Sequence, residues 1–213
     1  MPEFAELLKG YRRFREGTYP RQRERFEQTI NEGQKPKFLI IGCSDSRVDP
    51  AQIFDVDPGE IFVVRNVAAL VPPFETTPGF HGVSAAVEFA VQMLEVKQIM
   101  VMGHGRCGGC AAALSQSFNS KPMGEGGFIA NWINLLSEAR EPVAHQHGTS
   151  GREAELAMEF AAIQLSLSNL RSFPWIAEKE KAGTLKLRGA HFSIGEGMLY
   201  SLDEDKGEFF PED

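Results

Sequence analysis

Cysteine is scarce in this chain: three among 213 residues, Cys43, Cys107 and Cys110. Three unevenly spaced thiols exclude a disulfide framework, and in a reducing compartment such cysteines point to metals or catalysis. Long apolar runs are missing too; none approaches the roughly 18 residues of a membrane span. Nor is there an excess of positive charge. With 22 Lys and Arg against 29 Asp and Glu, the formal net charge is −7 and the pI about 5.3. That balance removes any general attraction to nucleic acid or to an anionic membrane surface. The N-terminal MPEFAELLKGYRRFREG is charged and lacks the apolar stretch of a signal peptide, so a cytoplasmic location is expected. Repeats, low-complexity tracts and linkers are absent as well. Residues 1–213 therefore read as one domain, the first 33 forming a helical arm.

What is present is an ordinary globular composition, 42% hydrophobic and 24% charged, organised in short alternating elements. Residues 3–16 and 20–33 read as two amphipathic helices, the second stopped by Gly33. KFLIIG (37–42), EIFVVRN (60–66) and QIMVMGH (98–104) are short apolar runs bounded by turn residues, as in strands buried on both faces. Helical spacing is expected over 80–96, 123–140 and 152–171, and from the CGG at 107–109 onward. A loop is expected over REPVAHQHGTSG (140–151), and a strand, a turn at GEG and a second strand over 184–203. Strands alternating with helices predict an α/β fold, a mostly parallel central sheet flanked by helices.

In parallel sheets ligands bind at the carboxyl ends of strands. The first strand ends at Cys43, and the third ends at His104 with Cys107 three residues on. Two thiols and an imidazole are thus delivered to one sheet edge. Zinc favours that donor set, and three ligands with an open fourth position is a catalytic arrangement. Gly103, Gly105, Gly108 and Gly109 allow tight turning and close backbone approach there. Cys107-Gly-Gly-Cys110 is also a C-x-x-C, which leaves two rivals open: a redox pair or a closed structural site of three Cys and one His. The redox pair leaves Cys43 and His104 unexplained, the closed site leaves Asp45 and Arg47 idle, and the AAAL after Cys110 suits a packing role for that thiol.

CSDSR (43–47), HGRCGG (104–109) and the intervening GEIFVVRNVAALV together resemble the β-class carbonic anhydrases, over roughly residues 30–205. The resemblance implies a zinc enzyme, one ion per subunit, that interconverts carbon dioxide and bicarbonate. By it, Cys43, His104 and Cys107 are the zinc ligands and Asp45 and Arg47 an Asp–Arg dyad. It casts Gln34 as a substrate-binding amide, Phe62 and Val67 as the apolar wall for CO2, and the Gly108 amide as a donor to bound anion. It further implies a homodimer or a dimer-based tetramer with the site at the subunit interface, so that Gln34 and Phe62 serve the neighbouring subunit.

The dyad has its own physical logic. Two thiolates and a neutral imidazole cancel the charge of Zn2+, so a nearby carboxylate gains value as the group that orients the attacking water. A bidentate arginine would keep that carboxylate ionised and turned from the metal. In an extended C-x-D-x-R segment all three side chains project to one side. Two departures from the family stand out: Phe89 replaces a tyrosine common in plant-type members, and Ile40 replaces the tryptophan of bicarbonate-regulated members. Ile40 and Gln34 together favour the constitutively open subclass, in which Asp45 is not a fourth zinc ligand as it is in a closed state. No clear proton shuttle is visible beyond His81. Alternative readings are a CS2 or COS hydrolase on the same fold, a non-catalytic zinc-stabilised binding domain, and a thiol hydrolase with Cys43 as nucleophile.

Overall fold

The computed structural model describes residues 3–118 and 124–212. Six strands form one sheet in the order β2-β1-β3-β4-β5-β6: β1 (Phe38–Cys43), β2 (Ile61–Asn66), β3 (Gln98–His104), β4 (Lys186–Ser193), β5 (Met198–Asp203) and β6 (Glu208–Pro211). The first four are parallel, and β5 and β6 add antiparallel. The three apolar runs are β1, β2 and β3, and the pair flanking GEG is β4 and β5. β6 was not anticipated, because its EFFP has one half-buried position and no apolar period to read.

From β1 the chain steps outward to β2, then returns to place β3 on the other side. Its winding therefore reverses between β1 and β3, and the carboxyl ends of those two strands frame the crevice where open α/β sheets bind ligands.

The helices are α1 (Phe4–Arg13), α2 (Tyr19–Glu32), α3 (Pro50–Ile53), α4 (Gly82–Glu88), α5 (Gly108–Ser115), α6 (Phe128–Ile133), α7 (Ser137–His147), α8 (Arg152–Arg171) and α9 (Pro174–Lys181). Leu39, Ile41, Ile99 and Val101 of the central strands pack with Val87 of α4 and with Ile163, Leu167 and Leu170 of α8. The closeness of α8 rests on glycine. A Cβ on Gly103 would stand 2.7 Å from Ile163 Cδ1, and one on Gly189 would stand 3.0 Å from Ile163 Cγ2.

Two expectations are corrected. The arm is one continuous rod, not two helices, because a π-helical turn at Phe14–Thr18 joins α1 to α2. Pro20 has no N–H to give, and the wider turn, closed by Tyr19 N–H on Phe14 O, carries the helix past it. Residues 140–147 are helical, not loop: α7 runs through Pro142 and stops at Gly148. Burial of Val143 beside Leu136 and Cys110 outweighs the poor propensity of the segment. The helix expected over 123–140 is divided, since α6 begins at Phe128 and a 3-10 turn at Asn134–Leu136 leads into α7; Met123 lies outside the described residues.

Candidate metal centre

β1 stops at Cys43, β3 stops at His104, and α5 starts just after Cys107. The two sulfurs and an imidazole nitrogen lie within 4.8 Å of one another, all three residues buried. His104 Nδ1 donates to Gly105 O at 2.9 Å, which fixes the tautomer and leaves the lone pair on Nε2. That Nε2 is buried and has no hydrogen-bond partner among the described residues. A ring nitrogen so oriented, its other nitrogen tied to a carbonyl, is the usual posture of a metal-binding histidine. Hydrogen bonding to Cys107 and burial push the Cys43 thiol up to about 12. Contact with Cys110 comes first in pushing Cys107 up to about 12. Only a cation ionises such thiols at neutral pH, so the donor set fits zinc. Cys110 is buried one helical turn on, packed among Ala113 and Leu114, and stands outside the three-residue group.

Past Cys43 the backbone leaves the extended form, which corrects the expected alternation. Val48 N–H donates to Asp45 O at 3.3 Å, and Arg47 N–H donates to Asp45 Oδ1 at 2.9 Å. Asp45 thus closes a turn on its own side chain, a conformation aspartate favours. The turn brings Arg47 back on the carboxylate in a bidentate pair, Nε to Oδ1 at 2.9 Å and Nη2 to Oδ2 at 2.7 Å. Arg47 hydrogen bonds hold the Asp45 carboxyl well below the usual range. Asp45 Oδ2 stands 3.9 Å from His104 Nε2, overlooking the metal position. Arg65 clamps this turn, with Nε on Cys43 O at 2.9 Å, Nη2 on Asp45 O at 2.6 Å and Nη1 on Asp49 Oδ2 at 2.9 Å. The reading of the sequence missed it. Its signal was a lone arginine inside the apolar run of β2.

Glu159 was missed as well. This buried carboxylate on α8 accepts from Arg106 N–H at 2.7 Å, Cys107 N–H at 3.4 Å, Arg152 Nη1 at 3.0 Å and His191 Nε2 at 2.9 Å. Burial alone would raise its pKa, yet the bonds from His191 and Arg152 win and hold it below the usual range. Arg106 sits at φ +59, unfavourable for a side chain larger than glycine, and the bond from its N–H to Glu159 holds it there. Its signal was a glutamate on the buried stripe of a long helix.

Residues 38–199 match the carbonic anhydrase family. Beta carbonic anhydrase 3 of Arabidopsis thaliana is 34% identical over 200 residues, 92% of this chain and 76% of that protein. The chain belongs to the β-class carbonic anhydrases. Its fold superposes on the β-carbonic anhydrase CcaA with a TM-score of 0.88 at 32% identity, covering 98% of this chain and 92% of that one. A Coccomyxa β-carbonic anhydrase gives 0.80 at 29% identity, covering 100% and 95%. A tetrameric one from Sordaria macrospora gives 0.79 at 30%, covering 94% and 96%. The family's activity is the zinc-dependent interconversion of carbon dioxide and bicarbonate, and this chain is a lyase of that kind.

The remaining residues singled out by likeness to the β class fall in two places. Val67 follows β2 and lines a cavity of about 820 Å³ with Ser44, Asn66, His81 and Trp132. Trp132 Nε1 holds Val67 O at 2.8 Å. Gly108 opens α5 beside Cys107 with open space around its α-carbon. Gln34 and Phe62 are elsewhere. Gln34 is exposed ahead of β1, toward the end of the strand opposite Cys43. Phe62 pairs with Leu39, four residues back along β1 and so roughly 13 Å from Cys43. Its ring packs on Phe89 with centroids 5.8 Å apart. Within one protomer neither residue joins the metal group. His81 Nε2 donates to Thr77 O at 2.8 Å, and Ile40 is buried with Met102 and Ala190.

Proposed function

We propose that Cys43, His104 and Cys107 hold the catalytic zinc of this carbonic anhydrase and that Asp45 and Arg47 form the dyad beside it. The observation that carries the reading is the unpartnered His104 Nε2, set with two buried thiols beneath a carboxylate already claimed by arginine. Zinc bound there supplies a water whose pKa is lowered to about 7, a nucleophile at neutral pH.

The chain's own groups do the rest. Asp45 accepts a hydrogen bond from the attacking water, which turns a lone pair toward the carbon of CO2 and disfavours anions with no proton to give. Arg47 keeps the carboxylate ionised and fixes its direction with two bonds. Arg65 holds the backbone on which both depend. The apolar wall near Val67 accommodates CO2, and the Gly108 N–H, at the amino end of α5, faces the oxyanion of bicarbonate.

The commitment of both Asp45 oxygens to Arg47 supports assigning the site to the constitutively open kind. A zinc-loaded crystal structure at neutral pH with Asp45 on the metal would overturn that assignment. The working unit is a homodimer or a dimer-based tetramer, in which Gln34 and Phe62 of one protomer serve the neighbouring centre. The arm supports this, since α1 leaves Phe4, Leu7 and Tyr11 at 74%, 61% and 56% exposure on their own chain. The Sordaria relative is tetrameric. Among the described residues no helix is long and apolar enough to cross a membrane; a cytoplasmic location is part of the proposal.

Zinc analysis paired with stopped-flow CO2 hydration tests the ligand set. Cys43→Ser is expected to lose metal and activity, and Cys110→Ser to keep both. Release of zinc by Cys110→Ser would refute the three-ligand assignment.

A further inference from the structure

His191 on β4 gives its Nε2–H to Glu159 Oε2, but its Nδ1 has no partner among the described residues, although the residue is only 1% exposed. The ring walls a cavity of about 490 Å³ that shares no lining residue with the one beside Ser44 and Val67. Gly105 keeps this space open: a Cβ there would stand 3.5 Å from Arg152 Nη2 and 3.8 Å from His191 Cε1.

Two guanidinium groups border the cavity. Arg152 spends Nη1 on Glu159 Oε1, and its Nη2 makes no hydrogen bond among the described residues. Arg106 makes no ion pair among them either. Two carboxylates face the same region. The Glu159 oxygens are taken up by His191, Arg152 and two backbone N–H groups, and Glu196 accepts from the Tyr200 hydroxyl at 3.1 Å. The groups left over are therefore a ring nitrogen and two cationic donors.

An oxyanion carrying both acceptor oxygens and a proton would satisfy all of them, the proton going to His191 Nδ1. Phosphate and bicarbonate both have them at neutral pH, whereas a carboxylate has acceptors only, and phosphate alone of the two brings a second negative charge to match two guanidinium groups. The cavity is larger than a phosphate, and Leu156, Phe160 and Ile194 wall the remainder with apolar surface. We propose that the cavity between Arg152 and His191 binds a phosphate group, free or carried on a small organic metabolite.

The test is calorimetric titration of the zinc-loaded enzyme, its metal capped with azide, against inorganic phosphate, glycerol phosphate and glycerol. Both phosphates are expected to bind at millimolar concentration or below, and glycerol not at all. Equal affinities assign the site to free phosphate; tighter binding of glycerol phosphate assigns it to the carried group. Arg152→Gln is expected to weaken binding about tenfold, the scale of one charge-assisted hydrogen bond. Glu196→Gln, at the cavity rim, is expected to tighten it, and a thermal unfolding scan checks that both variants fold. Absence of phosphate binding at millimolar concentration would overturn the proposal, as would unchanged affinity in Glu196→Gln or in a folded Arg152→Gln.

Discussion

Replacing Glu159 with alanine is expected to damage the metal centre from behind. Four donors lose their acceptor at once: the N–H groups of Arg106 and Cys107, Arg152 Nη1 and His191 Nε2. Removing one partner of a buried ionic cluster costs about 3–5 kcal/mol. In a chain of this size each kcal/mol moves Tm by about 2–4 °C, so the expected fall is about 6–20 °C. Arg106 then keeps only the bond from Arg47 Nη2 to its carbonyl, at 3.2 Å, to hold it at positive φ, and the Cys107 backbone loses its support. A loss of about 10–100-fold in zinc affinity is expected, the usual effect of removing a group that supports a ligand. Glu159→Gln keeps the shape and one acceptor but gives up the charge, for about 1–2 kcal/mol. The sign of the pH dependence follows from the depressed pKa of Glu159. Its stabilisation is fully present above the ordinary value of 4.5 and is lost as pH falls through the lower folded value. The Tm gap between wild type and Glu159→Ala should therefore narrow on acidification below about 4.5. Thermal unfolding and zinc release to a chelator are the measurements. A Glu159→Ala protein that melts within about 2 °C of wild type and releases zinc at the same rate would refute the reasoning.

Asp45→Asn is expected to retain zinc and lose about 10²–10⁴-fold in CO2 hydration by stopped flow, the scale of a positioned proton-handling group; unchanged turnover would remove the dyad. Because both ligand thiols are pushed up to about 12 when no cation is near, zinc uptake at pH 7 should release about two protons per ion. Titration in buffers of different ionisation enthalpy counts those protons, and a count of zero would exclude thiolate ligation by Cys43 and Cys107.

The legible parts of this protein are those governed by local rules. Buried parallel strands must be short apolar runs, so β1, β2 and β3 stand out, and ligands placed at their carboxyl ends follow from sheet topology. The turn at Asp45 was misread because residue alternation describes a strand, while an aspartate just past a strand end can satisfy the backbone itself. The break expected near Gly17 and Pro20 did not occur, since a π turn is an i to i+5 solution that no propensity pattern announces. Glu159 and His191 stayed hidden for another reason. Their roles depend on which far segment packs against them, and a glutamate on a helix is ordinarily solvated.

The same carboxylate has a consequence for the timing of synthesis. Cys43 lies in the first half of the chain and Cys107 at its midpoint, but the acceptor that fixes Arg106 comes 53 residues after it, and His191 follows Glu159 by another 32. A nascent chain that has just exposed its last metal-binding thiol cannot yet present the finished site. Apart from the bond of Arg47 to the Arg106 carbonyl, the loop lacks its partners until α8 has docked and β4 has joined the sheet. Secure capture of the ion is therefore a late step of maturation, after most of the chain has left the ribosome.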